Sequence, residues 1–83
     1  MPKKKRKIEL VHWIDSCTTQ GWHNPGPVDY SPVECQTVGF LVEETKVYIS
    51  LATSIAPDSG AKHCDVMTIP KAVITDRQTI AHG

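Results

Sequence analysis

Ser16 and Cys17 lie within six residues of His12 and Asp15, and a hydroxyl or thiol beside a base is the raw material of a nucleophilic site. In an extended segment, however, alternation sends Asp15 and Cys17 to one face and His12 and Ser16 to the other, so no local Cys-His pair can form. Metal chemistry could draw on His12, His23, His63, Cys17, Cys35 and Cys64. Structural zinc sites take their ligands in close pairs at short spacings. Only His12 with Cys17 and the adjacent His63-Cys64 approach that pattern, and strand neighbours point apart. Cys35 and Cys64 are therefore read as small apolar core residues, and the histidines as surface groups. No phosphate-cradling glycine loop, H-E-x-x-H stretch or paired-carboxylate arrangement occurs. The expectation is a protein that is not an enzyme and uses neither metal nor cofactor.

Binding chemistry has better material. Trp13, Trp22, Tyr30 and Tyr48 are large enough to line a groove for a proline-rich or other extended peptide, although a thin core also claims such side chains. The run Lys3, Lys4, Lys5, Arg6 and Lys7, with Lys71 further on, could neutralise phosphates and release counterions. It could equally solvate the start of the first strand.

Alternation over short segments is the signal that must position these groups. Ile8 to Cys17 reads as a first strand, with Ile8, Leu10, His12 and Ile14 as its apolar face and Glu9, Val11, Trp13 and Asp15 as a mixed one. Thr18 to Pro32 is rich in Gly, Pro, Asn and Asp and reads as a long loop pinned by Trp22 and Tyr30. Glu34 to Glu43 follows as a second strand in which Gly39 marks a bend or bulge. A charged tip leads into a third, where Val47, Ile49 and Leu51 alternate with Tyr48, Ser50 and Ala52. After a second turn-rich stretch, Asp65 to Ile69 forms a fourth strand that Pro70 must end. One helical turn at Lys71 to Val73 then precedes a fifth strand, Ile74 to Ile80.

At 83 residues the chain is one domain with little room for a deep cleft. Its formal charge of zero conceals an asymmetry: five of its nine basic residues precede the first acidic one. From Ile8 onward four basic residues face nine acidic ones, whereas a duplex-binding module normally carries a basic face. Three cysteines without C-x-x-C spacing, no apolar leader and no run long enough to span a membrane point to a reducing intracellular setting. The organisation expected is a basic arm over residues 1–7, a domain over 8–80 and a short tail over 81–83.

Five strands, a long first loop, a central hairpin and a strand, proline, single turn and strand ending resemble the SH3-like small barrels. Within that group, Val66 to Thr75, with Ile69-Pro70-Lys71 at its centre, is similar to the end of an Sm-like domain, a family that includes a bacterial RNA chaperone. The Lys-His pair and preceding aromatic with which that chaperone holds uridine-rich RNA are not present here. Trp13-Ile14-Asp15-Ser16-Cys17, Gly21-Trp22, Ser31-Pro32-Val33-Glu34-Cys35, Val38-Gly39-Phe40-Leu41-Val42 and Ile69-Pro70-Lys71 also resemble short accessory proteins of tailed bacteriophages, a group without assigned activity. The arm Pro2 to Lys7 resembles the short nuclear-localisation signals of polyomavirus large T antigens.

These resemblances imply an all-β, SH3-like or Sm-like small barrel of viral origin working in the host cytoplasm. The expected role is a non-catalytic module that binds a host or phage protein or assembles with itself. Two alternatives stand beside it: nucleic-acid binding through the arm and Lys71, and sequestration of a small nucleotide signal between protomers.

Overall fold

Strands form here because β-branched residues are abundant along the chain, which suits a pleated, half-buried surface better than a helix. The computed structural model describes residues 6–16, 22, 26, 31–60 and 62–83. Five strands are present: β1 (Lys7–Asp15), β2 (Val33–Glu44), β3 (Tyr48–Ala56), β4 (Lys62–Pro70) and β5 (Ile74–His82). They make one antiparallel sheet in the order β4-β3-β2-β1-β5. The all-β expectation holds. Among the described residues the sheet is nevertheless not closed into a barrel, because β4 and β5 are its two edges and share no ladder.

The core is small and sits on one face. Val11, Ile49, Leu51 and Ile69 are buried together, with Trp13, Leu41, Val73 and Ile74 packed around them. Alternation alone favours Ile8, Leu10, His12 and Ile14 as the inner face of β1, yet those residues are only half-buried, while Glu9 and Val11 on the opposite face are fully covered. Register supplies the reason. Ile49 pairs with Ile69 and Leu51 with Leu41, which places the richest apolar row of the sheet on the face that also carries Gly39 and, through its pairing with Gly39, Glu9. Val11 follows Glu9 by one full period. Since strand side chains alternate with period two, the neighbours' phase decides which set of β1 goes inside.

Gly39 does not mark a bulge. A Cβ there would lie 2.9 Å from the Ala52 carbonyl oxygen and 3.0 Å from Leu51 Cβ, so glycine permits β2 and β3 to approach. The register shift in this pair falls between Leu41 and Glu43 instead. Two more shifts interrupt the pairing of β1 with β5, one between Ile8 and Glu9 and one between His12 and Trp13. They bend β5 around β1.

The connections are as local as the composition suggests. Thr45 organises the β2–β3 turn: its hydroxyl accepts from the N–H groups of Val47 and Tyr48, both at 3.1 Å. Val47 is left 70% exposed at that tip, outside the inward row of Ile49 and Leu51. Between β3 and β4 a 3₁₀ turn at Pro57–Ser59 ends on Gly60, whose φ of 79° suits a residue without a Cβ. After Pro70 the expected single turn is a 3₁₀ turn at Lys71–Val73. The Lys71 N–H donates to the Val47 carbonyl at 2.7 Å, tying that turn to the β2–β3 tip.

Two readings need correction. Cys64 is exposed and Cys35 only half-buried, so neither is a core residue; β4 is an edge strand with eight of its nine residues exposed. The fifth strand does not end at Ile80, because β5 runs to His82, and Arg6 and Gly83 exchange two backbone hydrogen bonds of 2.9 Å. Among the described residues no helix is long and apolar enough to cross a membrane.

Candidate interaction site

Glu9 is a carboxylate on the core face, 2% exposed, and a buried charge persists only when paired and hydrogen-bonded. Arg77, on the neighbouring β5, supplies both bonds: Nε and Nη2 donate to the two Glu9 oxygens at 2.8 Å each. The same guanidinium donates to Glu44 at the end of β2, with two bonds of 3.1 Å. Lys71 completes the group, its Nζ 2.8 Å from Glu44 Oε2. Hydrogen bonds from Arg77 and then Lys71 hold the Glu44 carboxyl down at about 2. Bonds to Glu9 and Glu44 raise Arg77 further above its ordinary range. The four charges cancel and satisfy one another, so their work is mechanical: they tie β1, β5, the end of β2 and the last turn together. Alternation placed Glu9 on a mixed face, and no reading of the isolated strands singled out this group. Its legible trace was a lone Arg77 in a strand and a Glu two residues before Val11.

The aromatic residues do not converge among the described positions. Trp13 packs against the core and its indole N–H donates to Thr37 Oγ1 at 2.9 Å. Thr37 in turn lies 3.8 Å from the Met67 sulfur, spanning from β2 to β4 over the inner face. Tyr48 precedes the inward Ile49, so it projects from the other face. Its hydroxyl donates to Glu43 at 2.6 Å, which raises the phenol above its usual range. Trp22 is fully exposed. Tyr30 lies outside the described residues.

The cations are also divided. Arg6 and Lys7 stand at the start of β1, where Lys7 pairs with His82 at the end of β5. Lys71 lies just before the opposite end of β5 and is engaged by Glu44. Lys3, Lys4 and Lys5 lie outside the described residues. Among those described, no group of three or more His, Cys, Asp or Glu side chains is arranged to hold a metal ion.

Two surfaces remain with unspent chemistry. The first is the outer edge of β4, where Val66 and Met67 are 48% and 43% exposed. Asp65 interrupts that strand with a φ of 52°, and Pro70 ends it, which leaves Val66 to Ile69 as its uninterrupted run. The second is a cleft of about 290 Å³ at the far end of β1, walled by His12, Trp13 and Ile14 from β1, Glu34 and Gln36 from β2, and Thr75 from β5. No protein-family model, no curated protein and no solved structure matches this chain.

Proposed function

We propose that this chain is a non-catalytic interaction module of the SH3-like or Sm-like small-barrel type, a viral accessory protein working in the host cytoplasm. It joins a partner protein, or another copy of itself, through the outer edge of β4. The observation that carries this reading is the outer edge of β4 over Val66 to Ile69, which has no strand partner among the described residues and offers alternate backbone donors and acceptors beside two exposed apolar side chains. Such an edge recruits a further strand by main-chain hydrogen bonding, with the side chains supplying selectivity. The kink at Asp65 and the missing N–H of Pro70 confine pairing to this short stretch.

Amide hydrogen exchange across a concentration series, alone and with proteins captured from infected or expressing cells, tests this function. The expected result is protection of the alternate, outward-facing amides within Val66 to Ile69 on association, reduced by Val66→Lys with Met67→Lys. A strict monomer that captures nothing, or association without protection on β4, would overturn it. Nucleic-acid binding is the second reading, favoured by five consecutive cations at Lys3 to Lys7. It requires a steep loss of affinity with salt in a gel-shift series.

A further inference from the structure

Outside the Glu9–Arg77–Glu44–Lys71 group, within and next to β1 itself, positive charge stands at the start of the strand and negative charge at its far end. At its start stand Arg6 and Lys7, preceded in sequence by Lys3, Lys4 and Lys5. At its far end the cleft carries Glu34, with Asp15 and Asp76 beside it. All three carboxylates are exposed, and none makes an ion pair or hydrogen bond among the described residues. Register pairs His12 with both Gln36 and Asp76, and Ile14 with Glu34, so Glu34 and Asp76 project from one face of the sheet with only β1 between them.

We propose that this cleft docks the lysine-rich N-terminal segment, Lys3 to Lys5, of a second copy of the chain. Charge complementarity names the occupant: the body is acidic, and the densest run of positive charge in the sequence is that segment. Chain geometry keeps the chain's own arm from Glu34. Glu34 sits opposite Ile14, eight residues beyond Arg6, or roughly 27 Å along the strand. Lys3 is three residues before Arg6, and its reach is roughly 17 Å with the side chain included. The arm therefore falls about 10 Å short of Glu34 in its own molecule. In another copy the tether to Arg6 sets no such limit. Ile14, on the same face as Glu34, provides apolar wall for the lysine stems, whose charged ends stay in water. A reciprocal exchange of arms closes a two-fold dimer, whereas a one-way contact builds rings or open chains.

This proposal deepens the self-assembly reading but uses different surfaces, so the two can fail separately. A fluorescent peptide with the sequence of residues 2–7 is titrated into the full chain carrying Lys3→Ala, Lys4→Ala and Lys5→Ala, which removes the competing arm. The expected result is saturable binding at low salt that weakens about tenfold or more at moderate salt, and a similar loss with Glu34→Gln plus Asp76→Asn. Light scattering of the unaltered chain should show mass rising with concentration, reduced by either set of substitutions. The Val66→Lys, Met67→Lys chain should bind the peptide unchanged. No peptide binding at low salt, or binding indifferent to Glu34 and Asp76, overturns the proposal. So does an arm that shifts a single-stranded oligonucleotide while the peptide finds no cleft, since the lysines then serve nucleic acid.

Discussion

The inner face of the sheet has two halves that stay closed by different means. Around Val11, Ile49, Leu51 and Ile69 water is excluded by apolar contact. Two residues away on the same face of β1, Glu9 is held by Arg77, and Arg77 by Glu44. The apolar half gains stability from every methylene it buries. The charged half gains little in net terms, because desolvating an ion pair offsets most of its attraction. It contributes geometry instead, since a bidentate guanidinium bridging two carboxylates fixes how far β5 and the end of β2 curl toward each other. Stability in this protein therefore belongs mainly to one half, and the curvature of the open sheet to the other.

The largest expected effect attacks the charged half. Arg77→Met leaves Glu9 buried without a partner and should cost about 3–5 kcal/mol in urea unfolding. Glu9→Leu combined with Arg77→Met removes both charges and should recover most of that loss; if the double variant is as unstable as the single one, the pair is a net source of stability and the contrast between the halves fails. Next comes Leu51→Ala in the apolar half, expected to cost about 2–5 kcal/mol by cavity formation, read from the same unfolding midpoint. Gly39→Ala follows, at about 1–3 kcal/mol, because its methyl would press on the Ala52 carbonyl and force β2 from β3.

The smallest effect sharpens the comparison by pH. Glu44 has a folded pKa lowered from 4.5 to about 2, so its contribution is fully present above about pH 4.5 and is lost as pH falls toward 2. Its side chain is 39% exposed, and solvent screening keeps the contribution to about 1 kcal/mol or less. Unfolding free energies of the natural chain and of Glu44→Gln should therefore converge across that window. A gap that persists at pH 2 would show that Glu44 acts through packing rather than charge.

How much of this could be read in advance varies with the element. The β2–β3 hairpin, the stop at Pro70 and the turn before β5 follow from side-chain alternation and proline chemistry, and they stand within a few residues of the positions read. The inner face of β1 was not legible, because both of its faces carry apolar residues and only pairing with β2 and β3 selects one. Cys64 looked like a core residue for the same reason: a strand does not announce that it lies at an edge. Of the surfaces that could act, the cations of the arm are visible in the sequence. The cleft is not, since its walls come from β1, β2 and the start of β5.

Local chemistry was enough to determine that this chain makes strands, where they break and that its positive charge gathers at one end. Those properties depend on neighbours two or three residues away. Tertiary structure alone decided which alternate set of β1 is buried, that Glu9 meets Arg77 sixty-eight residues later, and that β4 and β5 remain open edges. Each of those outcomes rests on register between strands distant in sequence, and a shift of one residue would have turned every side chain to the other face.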